Sequence, residues 1–206
     1  MILAGTSGYN YDAWKGRFYP KELPAAKMLR FYGAHFSTVE INYTFRRMPT
    51  EKALTTWAAE VPEDFRFALK APFWVVNQKQ VAESVRALAP FLEVTLLLGA
   101  RRGPILFQFA PNVKRETARL RSFLEELPKN VQAAFEFQEP SWFDDEVYGA
   151  LAGAGAALCI TDSVERQTPV EKTAPWGYLR LRREDYDKRA IARWRKRISA
   201  LKFAGN

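Results

Sequence analysis

Pro104-Ile-Leu-Phe-Gln-Phe109, Gln132-Ala-Ala-Phe-Glu-Phe137 and Ala157-Leu-Cys-Ile-Thr-Asp162 are three short β-rich runs separated by stretches with helical spacing. Between the first two, Leu120, Phe123, Leu124 and Leu127 recur at intervals that place them on one helix face. Between the second and third, a short helix fits residues 144–152. Strand, helix, strand, helix, strand is the signature of a parallel sheet with helices packed on it.

The same alternation extends in both directions. Toward the N-terminus, 2–6, 38–45 and 65–71 read as strands. A helix over about 24–34, with Met28, Leu29 and Tyr32 on one face, follows the first. The second is followed by a helix that Thr50 caps, with Leu54, Trp57, Ala58 and Val61 at i, i+3, i+4 and i+7, stopping at Pro62. After the third strand, Val81, Val85 and Leu88 mark one helix, and Pro90 is read as starting another that ends before Gly99. Toward the C-terminus, a polar loop with Thr168 and Pro169 leads to a seventh strand, 178–182. A last helix carries Ile191, Trp194, Ile198 and Leu201 on one stripe. The expected fold is therefore an α/β, TIM (β/α)8-type barrel in one domain over residues 1–206, shortened to seven strands with the eighth βα unit missing. An ordinary barrel of this type has eight strands and about 250 residues. The expectation is an open side, or a second copy of the chain covering that edge.

Strand interiors favour apolar side chains, so polar residues inside them need a reason. Here they are Glu40 and Asn42, Lys70, Gln108, Glu136, Asp162 and Arg180, from the second to the seventh strand. Gln108 lies between Phe107 and Phe109, and Glu136 between Phe135 and Phe137. Alternation sends the phenylalanines to the helix layer and the polar groups to the other face. Glu40 and Asn42, two apart, are expected to share a face. The C-terminal ends of barrel strands carry the active site, and the seven polar groups are expected to converge at one rim. Glu136 and Asp162, on neighbouring strands, are the candidate acid/base pair, with Glu40 a third catalytic candidate. Lys70 and Arg180 suit an anionic substrate group, Asn42 and Gln108 suit hydroxyls or carbonyls, and Tyr11, Trp14 and Trp142 suit pocket walls. The competing reading is a buried ionic network that only braces the barrel mouth.

Composition narrows the classes. With 48% hydrophobic residues, the chain of 206 has the make-up of a packed globular protein. No apolar run reaches the length of a membrane span, no signal peptide is expected at Met1 to Gly8, and one cysteine, Cys159, makes no internal disulfide. A cytoplasmic location without membrane association is expected. The net charge of +8 is concentrated at one end: Arg180 to Asn206 holds ten Lys or Arg against three Asp or Glu, and the rest holds 21 against 20. A basic terminal segment suits nucleic acid or merely a solvated face. In the last helix Arg193, Arg195, Lys196 and Arg197 surround Trp194, which falls on the apolar stripe and is expected to be buried, and this weakens the single-strand-binding reading.

One His and one Cys do not make a zinc site. His35, in Gly33-Ala-His-Phe36, is expected to cap or pack, and Cys159 to sit in the core. No cofactor is expected, although Glu40, Glu136 and Asp162 are oxygen ligands of the type Mg²⁺ takes. No Walker-type loop occurs, and the glycines of Gly5-Thr-Ser-Gly8 read as a strand-to-loop turn.

Gly5-Thr-Ser-Gly-Tyr-Asn-Tyr-Asp-Ala-Trp-Lys-Gly-Arg-Phe-Tyr-Pro20 resembles the opening signature of the YecE-like family (domain of unknown function 72). Val39-Glu-Ile-Asn42 with Thr44-Phe45 and Pro49 is similar to its second-strand motif. Ile105-Leu-Phe-Gln108, Glu136-Phe137 with Ser141-Trp142, and Tyr178-Leu-Arg-Leu181 resemble later ones. The resemblance implies a TIM-type barrel of uncharacterised function. The chain departs from the family pattern at Tyr9 (usually Trp), Arg46 (usually Tyr) and Gln138-Glu139 (usually Arg-His), and the family's usual closing strand and helix have no counterpart after Leu201. Three functions remain open. The first is an enzyme, a hydrolase, lyase or isomerase type without redox cofactor, acting on a small anionic or polar metabolite. The second is a nucleic-acid-interacting or processing protein, and the third a non-catalytic barrel that binds a ligand or partner.

Overall fold

Gly5 sits where no other residue fits. A Cβ there would lie 1.8 Å from the carbonyl oxygen of Thr38, on the strand next to it. β1 (Gly5–Ser7) pairs in parallel with β2 (Thr38–Ile41), and β2 with β3 (Arg66–Lys70). Gly5→Ala is expected to splay β1 from β2 and destabilise the protein by about 1–3 kcal/mol, the usual cost of overpacking. Urea unfolding checks this, and an unchanged midpoint would contradict it.

The computed structural model describes residues 1–76 and 81–204. They form two compact units, one running from Ile2 to Ile105 apart from Val81, the other from Leu106 onward. The fold class is α/β, of the TIM-barrel type: among the described residues seven strands follow in chain order, one unit fewer than eight.

In the N-terminal unit, a 3-10 turn (Ala25–Lys27) leads into α1 (Met28–Gly33). Tyr32 on α1 is fully buried, and its hydroxyl joins three backbone and side-chain groups. It accepts from the Thr6 amide at 2.7 Å and the Thr6 hydroxyl at 3.0 Å, and donates to the Thr38 carbonyl at 3.0 Å. α2 (Glu51–Glu60) is capped by Thr50, whose Oγ1 accepts from the Ala53 amide at 3.2 Å. A short α3 (Phe73–Val76) follows β3.

Three elements of this unit differ from the sequence expectation. β1 starts at Gly5, with Ile2 and Leu3 left exposed before it. β2 ends at Ile41, because Asn42 turns into the α region (φ −81°, ψ −23°) and opens a 3-10 turn over Tyr43–Phe45. The two helices expected on either side of Pro90 are one, α4 (Val81–Thr95). Ser84, Leu88, Phe91 and Thr95 form one continuous buried stripe along it, while Pro90 faces solvent. There, water can serve the carbonyl that proline leaves without its amide partner, so packing carries the helix through.

β4 (Arg102–Gln108) leads into the C-terminal unit. There β5 (Ala133–Glu136), β6 (Ala157–Asp162) and β7 (Tyr178–Leu181) pair in parallel. α5 (Thr117–Glu126), α6 (Asp145–Gly153) and α7 (Lys188–Ala200) complete the unit. Phe107 and Phe135 stack at 5.1 Å, and both meet Phe123 of α5, so this face of the strands packs on helices. On the opposite face, small side chains close a core of Leu106, Ala134, Ala157, Cys159 and Ala174. That core is the floor beneath the polar strand ends.

The last helix departs from the expected stripe. Trp194 is buried, but Ile191 is 49% exposed.

Candidate functional site

Four side chains meet at the C-terminal ends of β4 to β7. Glu136, the last residue of β5, is 3% exposed, and Arg180 on β7 is 7% exposed. Arg180 Nη1 donates to Glu136 Oε2 at 2.5 Å, and Gln108 Nε2 donates to the same oxygen at 2.7 Å. Thr161 Oγ1 reaches the other oxygen, Oε1, at 3.3 Å. Thr161 and Arg180 are register partners across β6 and β7, so both project from the same face as Glu136. Gln108, Glu136 and Arg180 are thus brought together from separate strands, and Thr161 is a member that the sequence reading overlooked.

Asp162 does not belong to this group, which corrects the expected Glu136–Asp162 pair. Thr161 faces Glu136, so Asp162, the next residue, projects from the opposite face with Leu158 and Ile160. Its Oδ1 accepts from Gln167 Nε2 at 3.1 Å and Arg183 Nε at 2.9 Å, and its Oδ2 from Tyr186 Oη at 2.8 Å and Trp194 Nε1 at 3.0 Å. Four donors fill both oxygens. Burial pushes the carboxyl up, but the hydrogen bonds from Tyr186, Arg183 and Trp194, with the Arg183 charge, outweigh it and hold Asp162 below the ordinary carboxylate value. The same contact, with burial foremost, raises the Tyr186 phenol to about 12. Asp162 is a clasp for α7 and the segment before it. The signal was in the sequence: bulky Leu158 and Ile160 mark the helix-facing set to which Asp162 belongs by parity.

The N-terminal unit holds a second polar group. Ser7, opposite Glu40 in the β1–β2 register, donates to Glu40 Oε1 at 2.6 Å and accepts from Asn42 Nδ2 at 2.9 Å. Glu40 and Asn42 therefore meet through Ser7 despite the early end of β2. Lys70 ends β3 with its Nζ 4.2 Å from the ring centre of Phe45, a cation–π contact.

The expected wall residues lie as follows. Tyr11 is exposed, with its hydroxyl on the Ser7 carbonyl, and packs on Trp14 at 4.8 Å. Trp142 is buried, stacks on Phe137 at 4.4 Å and donates to the Val113 carbonyl at 2.7 Å, which is a helix-layer position. His35 stacks on Phe31 at 4.5 Å and bonds the Phe31 carbonyl, a packing role. Cys159 is buried in the core. Among the described residues, no three His, Cys, Asp or Glu side chains gather as metal ligands would, and no helix is long and apolar enough to cross a membrane.

An α/β barrel-type protein with a charged pair buried at its strand ends is the class these features define. The family described as "Protein of unknown function DUF72" matches residues 3–206, and the chain belongs to it. It is 28% identical over 163 residues to UPF0759 protein YunF of Bacillus subtilis (strain 168), a match covering 72% of this chain. The chain spans about half the length of that relative, 54%. A DUF72 family crystal structure from Thermotoga maritima MSB8 superposes with a TM-score of 0.79 at 24% identity, covering 98% of this chain and 87% of that one. Another, from Enterococcus faecalis V583, gives 0.72 at 18% identity over 95% and 82%. These likenesses concern the fold.

Proposed function

We propose that the chain is an enzyme acting on a small polar or anionic metabolite, with Glu136 as its acid/base group. The observation that supports this is the unequal loading of the two carboxylate oxygens. Oε2 takes both the guanidinium of Arg180 and the amide of Gln108, whereas Oε1 takes one long bond from Thr161. A carboxylate has room for about four donors, so Oε1 is the oxygen with capacity for a ligand's hydroxyl or ammonium proton. Arg180 and Gln108 fix its direction, as a proton-transfer group requires. Burying two charges is costly, and apolar packing of equal volume is often as stable. A pair retained at the strand ends of a barrel, where this fold class places its chemistry, fits a working site better than a brace.

The test begins with a thermal-shift screen of sugars, carboxylates and phosphate esters, followed by turnover assays on those that bind. Glu136→Gln keeps the shape and removes the proton acceptor. Its turnover is expected to fall by about 10²-fold or more, the usual contribution of general acid–base catalysis, with folding retained by circular dichroism. Undiminished turnover in a folded Glu136→Gln protein, or a screen in which nothing binds, overturns the proposal.

A further inference from the structure

α7 carries six Lys or Arg and no Asp or Glu in Lys188–Ala200. At 100° per residue, Lys188, Arg189, Arg193, Arg195, Lys196 and Arg197 fan over an arc of about 200° centred opposite Trp194, with Arg197 at its near edge. Among the described residues, none of the six lies in an ion pair with a carboxylate. The cation–π contact of Arg197 is with Trp194, at 5.1 Å. Arg189, Arg193 and Arg197 follow at i, i+4 and i+8, a spacing at which like charges destabilise a helix. Ten of the thirteen residues are exposed, and Trp194 alone is buried. A helix this basic, this exposed and without internal compensation has the complement of a polyanion.

We propose that the exposed face of α7 is a docking surface for double-stranded DNA, held through its phosphates. The helix is about 20 Å long and 10–12 Å wide, dimensions that the B-form major groove, about 12 Å wide, accepts. The deep, narrow major groove of duplex RNA does not. A single strand would need rings for its bases to stack on, and the one aromatic side chain of α7, Trp194, is committed to Asp162. For the same reason the helix cannot turn its apolar stripe into a lipid surface. Charge attraction of this kind depends on backbone, not sequence.

Fluorescence anisotropy with a labelled 20-base-pair duplex tests the surface. With three or four phosphates engaged, affinity is expected to fall by about 10²-fold between 50 and 200 mM salt. The triple variant Arg189→Ala, Arg193→Ala, Lys196→Ala alters exposed positions only, and should fold by circular dichroism while binding at least tenfold more weakly. Glu136→Gln should bind as the wild type does, which separates this surface from the proposed reaction. The proposal is overturned if the wild type ignores duplex DNA at 50 mM salt or binds without salt dependence. It is overturned equally if the triple variant binds unchanged, or if single strands, duplex RNA or anionic phospholipid vesicles bind more tightly than duplex DNA.

Discussion

Arg180→Met alone is expected to lower the stability of the protein by about 3–5 kcal/mol, because it leaves the Glu136 carboxylate buried without its countercharge. Arg180 and Glu136 are both less than a tenth exposed, so water cannot replace the lost guanidinium without opening the strand ends. The double variant Arg180→Met, Glu136→Leu removes both charges and is expected to recover most of the loss, since an apolar pair of similar volume avoids the desolvation cost. Gln108 and Thr161 then lose their bonds to Glu136, but Gln108 is only half-buried, so water can take the place of that bond, and the buried Thr161 hydroxyl keeps Cys159 Sγ at 3.8 Å. Equilibrium unfolding in urea reads both variants. A single substitution costing under about 0.5 kcal/mol, the range of surface changes, would show that the pair is not held out of water. The double variant also bears on function. A pair that only braces the strands becomes dispensable once replaced, whereas a working site loses ligand binding in the recovered protein.

The parts of the molecule legible in sequence are those set by local periodicity. Phe107, Phe109, Phe135 and Phe137 alternate with Gln108 and Glu136, and the structure packs the first set toward α5 and Trp142 and brings the second set together. At Asp162 polarity points to the wrong face. Position parity decides the face, and a helix-side carboxylate is stable there because four donors reach it, three of them 21 to 32 residues distant in sequence. Tyr186 and Trp194, 24 and 32 residues on, are invisible to any local pattern. Pro90 misled for a related reason. Its local rule is real, but the buried stripe from Ser84 to Thr95 overrides it. Asn42 lay beyond the strand end, and its link to Glu40 depends on Ser7, a residue of another strand. Local pattern thus locates the candidate residues, and long-range hydrogen bonds sort those at the strand ends into a cluster around Glu136 and a clasp at Asp162.

Asp162→Ala is expected to cost about 3 kcal/mol, with the largest share from the buried indole N–H of Trp194, which loses its acceptor in a place water does not reach. Arg183, Tyr186 and Gln167 are partly exposed and recover some of their loss through solvent. Damage should be local. Hydrogen exchange of the α7 amides should quicken well before that of β5 and β6, because α7 is otherwise so exposed. Protection of α7 equal to the wild type would contradict the clasp. The pH dependence gives a second reading with a definite sign. The folded carboxyl titrates below its ordinary value of 3.8, so the unfolded chain binds the proton more readily. The stability that Asp162 contributes is therefore complete above pH 3.8 and disappears as pH falls through the lower folded value. Asp162→Asn has no such proton to bind, so the gap between the two unfolding curves should be constant near neutrality and narrow in that acid window. A gap that widens on acidification would mean that the carboxyl is raised by burial instead, and that the four donors do not hold it.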